Sequence, residues 1–204
     1  MQRGYDLFKR LLDLLTATVG LVVLSPIILA EAIVVRIAIG SPAFFRQTRP
    51  GLNGKPFEML KFRTMADTRS ACGDLLPDAE RLGRIGRFLR AASLDELPEL
   101  INVLKGDMSL VGPRPLLMEY LQLYSPEQAR RHDVRPGLTG WAQINGRNDL
   151  DWQDRLRLDV WYVDNRSLFL DLRIIMLTFK AVLCATNTTQ RGHATVEKFR
   201  GNLS

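Results

Sequence analysis

The run from Leu14 to Val35 limits the possible folds more than any other feature, because Glu31 is its only charged residue. Its length falls within the roughly 17–25 residues a helix needs to span the apolar layer of a bilayer. Pro26 lies near the middle, where it removes a backbone donor and its ring collides with the preceding turn, a defect of about 3 kcal/mol in an ordinary helix. The Ser25 hydroxyl can compensate by donating to a carbonyl one turn back, so a helix kinked at Ser25-Pro26 is predicted. Arg3, Lys9 and Arg10 precede the run, and Arg36, Arg46 and Arg49 follow it. Basic flanks favour the cytoplasm, so both ends ask for the same side. A re-entrant helix over residues 1–40, entering and leaving through one leaflet, satisfies them. A single-pass anchor and a signal peptide cut near Ala30-Glu31-Ala32 are the other readings. The second is weakened by the still apolar stretch Ile33 to Ile39, with which a mature chain would begin.

The remaining residues, 41–204, are expected to form one structural unit at the membrane interface, since no internal repeat, low-complexity tract or linker interrupts them. A net charge of +6 and a pI near 9.7 predict attraction to something anionic. Phospholipid, nucleic acid and a phosphorylated substrate all qualify on charge alone. Cys72 and Cys184 are too few for a disulfide framework and have no metal-ligand spacing, which fits reduced thiols facing a cytosol.

The expected fold class is α+β, mainly helical, combining the membrane helix with amphipathic interfacial helices and a small β-hairpin. Phe44 to Gln47 and Phe57 to Met65 read as strands around Asn53-Gly54, a dipeptide suited to the positive backbone angles of a tight turn. Gly51 to Pro56 lacks the spacing and terminal hydroxyl of a phosphate-binding P-loop, and that reading is rejected. Strand alternation puts Lys61 and Arg63 on one face, either as a cationic pair aimed at a ligand or as a solvated surface. Pro77 to Arg90 reads as a helix with the stripe Leu82, Ile85 and Leu89 and an arginine-rich face suited to anionic lipid. Leu97, Leu100, Ile101 and Leu104 keep helical spacing, so a buried helix is predicted from near Asp95 to a stop at Gly106. Further helices are expected at 115–124, 126–132 after a Ser125 cap, 151–163 and 168–184. The last is apolar enough for either a membrane interface or a core.

Ser93-Leu94-Asp95-Glu96 matches a capping box, a purely structural explanation for two acids in a first helical turn. Other residues favour chemistry. Arg114, held between Pro113 and Pro115, suits rigid presentation of a guanidinium to phosphate oxygens, and Arg90 lies five residues before Asp95. Carboxylates among arginines suit phosphoryl transfer, and both acids are hard oxygen ligands for Mg²⁺.

These residues stand in an ordered series: Ser25-Pro26, Arg49-Pro50-Gly51, Lys61 to Met65, Arg90 with Ser93 to Leu97, Leu104 to Ser109, Val111 to Pro115, Arg135 to Gln143, and Asn145-Gly146-Arg147. The series resembles the bacterial sugar transferase family, in particular its small monotopic phosphoglycosyl transferases, which include the Campylobacter enzyme of N-linked protein glycosylation. The resemblance runs nearly end to end, and the ending, Gly192 to Thr195 with Glu197-Lys198-Phe199, is similar to glycosylation-pathway members. It implies an enzyme of the bacterial inner membrane, with its catalytic part on the cytoplasmic face, acting in polysaccharide or glycoconjugate assembly. Asp95 would attack the β-phosphate of a UDP-sugar, N-acetylated sugars included, release UMP and hold the sugar phosphate covalently until polyprenyl (undecaprenyl) phosphate takes it. Glu96 would be the adjacent acid-base or metal-organising group, with Mg²⁺ on Asp95 or Glu96. Lys61, Arg90 and Arg114 map onto the family's cationic site, and Arg63, Gln143 and Arg147 rank behind them as substrate contacts.

A membrane-tethered basic binding module, using the arginine-rich helix and Trp141, Trp152 and Trp161, is the alternative, as is a scaffold for other enzymes. Neither needs the Asp95-Glu96 pair, and the leading reading includes membrane lipid but no nucleic acid among its partners.

Overall fold

A computed structural model describes residues 2–146, 150–183 and 198–201. The long helix α1, Gln2–Ala38, runs through Pro26 without a break in its helical assignment. The amide that Pro26 lacks would have bonded the Val22 carbonyl. The Ser25 hydroxyl donates to that same oxygen at 2.8 Å, so the carbonyl freed by the proline is satisfied one residue earlier, as the sequence suggested.

One face of α1 lies along the rest of the protein from end to end. Tyr5 and Lys9 bond Asp171, at 2.8 and 2.7 Å. Arg10 donates to the Val103 and Leu104 carbonyls, and Asp13 accepts from the Leu110 amide. Beyond these, Ala17, Leu21 and Leu24 join a core with Met59, Leu100, Val103 and Met108. Ile28, Ala32, Val35 and Ile39 close over Phe62, Leu89 and Leu94. The recurrence at three and four residues is that of a single helix face. The opposite face, including Leu11, Leu15, Val19, Val22, Leu29 and Ile37, is bare and apolar.

Strands β1, Phe44–Pro50, and β2, Pro56–Phe62, form the expected antiparallel hairpin, with Phe44 opposite Phe62 and Pro50 opposite Pro56. Asn53 (φ 56°) and Gly54 (φ 70°) supply the left-handed turn. The second strand stops at Phe62, short of the predicted Met65. The predicted helix over 77–90 is two pieces, α2 (Asp78–Arg81) and α3 (Arg84–Ala91), broken where Leu82 leaves helical angles before Gly83. Gly86 explains the seating of α3. A Cβ there would stand 1.9 Å from the Thr64 carbonyl oxygen, so the helix presses its backbone onto the chain leaving β2.

The helix expected to begin near Asp95 starts later. Ser93 takes left-handed angles (φ 55°) and makes no side-chain cap; Leu94–Glu96 is one 3₁₀ turn, and α4 runs Glu99–Lys105. Gly106, at φ 90°, is the stop that the sequence predicted. The capping box is found instead at Ser125, paired with Gln128 ahead of α5, Pro126–Ala129. Residues 115–124 hold only a 3₁₀ segment, Met118–Gln122.

A second small sheet pairs β3, Ser109–Val111, with β4, Gly137–Thr139, in parallel. Contact there is too close for side chains: a Cβ on Gly137 would meet the Gly112 amide nitrogen at 2.1 Å. Helices α6 (Trp141–Ile144), α7 (Trp152–Asn165, capped by Asp151) and α8 (Leu168–Leu183) complete the unit. Tyr162 and Ile174 pack on Val111, and the Tyr162 hydroxyl shares Asp171 with Tyr5 and Lys9. The three tryptophans are engaged internally, Trp141 stacked on Trp161 and Trp152 against Tyr120 and Phe199. The outer face of α8, with Phe169, Leu172, Met176 and Phe179, is exposed and apolar.

Gly86→Ala is expected to lower stability by about 1–3 kcal/mol, as overpacking does, despite alanine's better helix propensity. Thermal unfolding in detergent checks it, and an unchanged midpoint would show that α3 can shift without cost.

Candidate active site

Three segments distant in sequence place their charged side chains together. Lys61 projects from the end of β2, Asp95 and Glu96 sit on the 3₁₀ turn, and Arg114 comes from the loop after β3. The Lys61 ammonium lies 2.7 Å from Glu96 and 3.0 Å from Glu99. Arg114 ion-pairs with Glu96 through Nη2, and its Nη1 stands 3.4 Å from the other Glu96 oxygen. Glu96 is thus held from two sides by cations. Asp95, 8 % exposed, enters no ion pair or hydrogen bond among the described residues. Arg90, at the end of α3, donates to the Thr64 hydroxyl at 3.0 Å and bears on Asp95 electrostatically.

Each member is held from behind. Asn102 of α4 accepts from the Leu60 amide and donates to the Glu58 carbonyl, which fixes β2, and so Lys61, against α4. Arg131 forms a buried ion pair with Asp159 at 2.7 Å and donates to the Arg114 carbonyl, also at 2.7 Å. That bond and the two flanking prolines set the Arg114 backbone. Its side chain remains 43 % exposed, so the guanidinium keeps an outer edge for a ligand.

The electrostatics differ among the three carboxyl groups. Burial pushes the Glu96 carboxyl up, but Arg114 and Lys61 overcome this and hold it well below the usual carboxylate range. For Asp95, burial and then the neighbouring Glu96 charge raise the pKa, against the pull of Lys61, Arg114 and Arg90. Burial pushes Glu99 up to about 7, with Lys61 opposing. The Lys61 pKa is raised in spite of burial, chiefly because Glu96 faces it. The constellation can therefore neutralise an incoming phosphate while keeping one carboxylate unpaired.

Of the residues singled out from the sequence, Lys61, Arg90, Asp95, Glu96 and Arg114 converge. Arg63 turns aside to Asp67, at 2.8 Å, so it does not act as a pair with Lys61. Gln143 stands in α6 beside the Arg114 loop, where Gly140 meets the Gly112 carbonyl, and its buried amide has no hydrogen-bond partner among the described residues. Arg147 lies outside the described residues, as do Cys184 and residues 192–197. Sequence reasoning missed Glu99, although its place three residues after Glu96 was a usable signal, and missed Arg131 and Asp159, for which no local pattern existed.

A partly buried pair of unequal carboxyl groups beneath three cations, on a unit that carries a long apolar helix, suits a phosphorylated, anionic ligand. The chain belongs to the bacterial sugar transferase family, whose sequence model matches residues 4–185. It is 59% identical to the uncharacterized sugar transferase EpsL of Bacillus subtilis, over 96% of this chain and 97% of that one. It is 43% identical to the UDP-glucose:undecaprenyl-phosphate glucose-1-phosphate transferase of Caulobacter vibrioides, over 89% of this chain and 72% of that one. The Escherichia coli enzyme of the same name is 40% identical over 84% of this chain, which spans 39% of that longer protein.

Because its pKa is raised on folding, Glu99 contributes most favourably below the ordinary carboxyl pKa and increasingly opposes folding as pH rises towards and through about 7. Glu99→Gln is expected to stabilise the protein more at pH 8 than at pH 5, as read by denaturant unfolding at the two values. An equal effect at both would show that Glu99 stays ionised throughout.

Proposed function

We propose that the protein transfers a sugar 1-phosphate from a UDP-sugar to polyprenyl phosphate, releasing UMP, with Asp95 as covalent nucleophile. The observation that carries this reading is the unequal treatment of the dyad. Glu96 is committed to Lys61 and Arg114, while Asp95 is the carboxylate kept out of ion pairs next to those same cations. An Asp95 oxygen attacks the sugar-bearing phosphorus, the bond to UMP breaks, and the acceptor phosphate displaces Asp95 in turn. Lys61, Arg90 and Arg114 are placed to offset the charge on the phosphoryl group in both displacements. Glu96, held ionised, keeps Lys61 and Arg114 in position. The named relatives support glucose as the sugar and undecaprenyl phosphate as the acceptor; they offer nothing for an N-acetylated sugar or for protein glycosylation.

Magnesium fits this donor set as an ion shared with substrate. Asp95 offers a hard oxygen ligand, and Mg²⁺ commonly takes one or two carboxylates with substrate phosphates. Among the described residues no group of three or more His, Cys, Asp or Glu side chains forms a protein-only cage. When bound, the ion would supply further charge neutralisation on the migrating phosphoryl group.

Membrane seating follows from α1. The helix is long and apolar enough to cross a bilayer, yet one face is packed on the rest of the protein from Tyr5 to Val35, which favours placing both ends on the same side. That supports a re-entrant helix with the bare faces of α1 and α8 in lipid, on the cytoplasmic face of the inner membrane.

Incubation with UDP-glucose, Mg²⁺ and undecaprenyl phosphate is expected to release UMP, and intact-protein mass spectrometry without acceptor to find a hexose phosphate adduct that Asp95→Asn abolishes together with turnover. Near-normal UMP release by that variant would defeat the assignment. For topology, single cysteines at Arg3 and Arg46, with Cys72 and Cys184 replaced by Ser, should both react with an impermeant thiol reagent from the cytoplasmic side. Reaction from opposite faces would establish a spanning helix.

A further inference from the structure

Glu31 is the one charge in the apolar part of α1, and the fold does not turn it to solvent. It is 5 % exposed, and neither carboxylate oxygen has a hydrogen-bond partner among the described residues. It faces a groove of about 550 Å³ between α1 and α3, lined by Ile27, Ala30 and Val34 on one side and Ile85, Phe88 and Leu89 on the other. Leu94, the residue before Asp95, also lines the groove, and Arg84 is its one cation. A buried, unpaired carboxylate costs several kcal/mol, and an apolar residue would pack there better. A structural role therefore does not explain Glu31.

The groove has the properties of one half of the reaction. Ile27, Val34 and Phe88 are themselves exposed on the bare apolar surface, so the groove opens where the protein meets lipid. Its inner end is closed by Leu94, next in sequence to Asp95. Its apolar lining and opening towards lipid suit the first isoprene units of a polyprenyl chain beside its anionic head. The head needs a proton acceptor, because a polyprenyl phosphate that enters as its monoanion must lose a proton when it becomes a diphosphate. Glu96 serves poorly, being held ionised by two cations, and Glu99 lies behind Lys61.

We propose that this groove receives the polyprenyl phosphate acceptor and that Glu31 takes the proton from its phosphate as it attacks the sugar phosphate on Asp95. The inference rests on the two-step reaction proposed above. In that step a new bond forms between an acceptor phosphate oxygen and the sugar-bearing phosphorus. The bond from that phosphorus to the Asp95 oxygen breaks, its electron pair returns to the Asp95 carboxylate, and the acceptor's proton passes to Glu31. Arg84 of α3 is the one charged side chain facing it across the groove; the other lining residues are uncharged.

The test separates the two half-reactions. Enzyme is first loaded with UDP-glucose and the UMP released per protein measured; undecaprenyl phosphate is then added and disappearance of the adduct timed. Glu31→Gln should load within about twofold of the unchanged protein but transfer about a hundredfold more slowly near pH 6, the lower range for loss of a general base. The deficit should shrink above about pH 8, where the acceptor phosphate, with a second pKa near 6, has already lost its proton. Glu31→Leu, which removes a buried charge from an apolar helix and so should fold, is expected to behave alike. Normal transfer near pH 6, a deficit independent of pH, or equal loss of loading and transfer would each overturn the proposal. Failure of the unchanged protein to release UMP would instead overturn the reading on which it rests.

Discussion

The site depends on Glu96 being shared between Lys61 and Arg114. One carboxylate joins the end of a hairpin strand, a 3₁₀ turn and a loop that follows a different sheet. Without it, Lys61 and Arg114 would be two cations close together under the same low-dielectric surface, and each would oppose the other. With it, they stand side by side and leave Asp95 outside the pairing. A carboxyl held far below its ordinary pKa takes up a proton poorly at neutral pH, so in the proposed reaction Glu96 is suited to organising the cations rather than to carrying protons.

That arrangement would be worth little on mobile supports, and the rest of the unit supplies rigidity. Asn102 fastens α4 to β2 through both ends of its amide. The Arg131–Asp159 pair is almost wholly buried and spends one guanidinium nitrogen on the Arg114 carbonyl. A buried ion pair is not by itself a source of stability. Here it specifies a loop position, which Pro113 and Pro115 could stiffen but could not locate.

Helix α1 carries the opposite design, rigid on one face and bare on the other. Ser25 bonding the Val22 carbonyl lets a proline sit inside an apolar helix without an unsatisfied oxygen. Polar contacts from Tyr5 to Asp13 and apolar ones from Ala17 to Ile39 then tie the whole helix to the catalytic unit. Ile27 and Val34 belong both to that bare surface and to the groove at Glu31, and α8 carries an exposed apolar face of its own.

Features governed by neighbours along the chain could be read from the sequence. These include the apolar helix with its Ser25-Pro26 device, the Asn53-Gly54 hairpin, the Ser125 cap, the Gly106 stop, α7 and α8, and the five charged residues that converge. Local periodicity failed where tertiary contact overrode it. Gly86 pressed against Thr64 sets α3 apart from α2, and Ser93 adopts left-handed angles instead of capping, which moves the helix start from Asp95 to Glu99. Arg63 left the site although alternation placed it beside Lys61, because the strand ends at Phe62 and Asp67 lies within reach. The sequence by itself determined which residue types were present for phosphoryl chemistry and that a long apolar helix precedes them. Only the tertiary structure decided that Glu96 is paired and Asp95 is not, that Arg131 and Asp159 stand behind Arg114, and that Glu31 faces an apolar groove lined by Leu94. Those are relations between segments tens of residues apart, and their energies arise from burial and distance, which no spacing along the chain encodes.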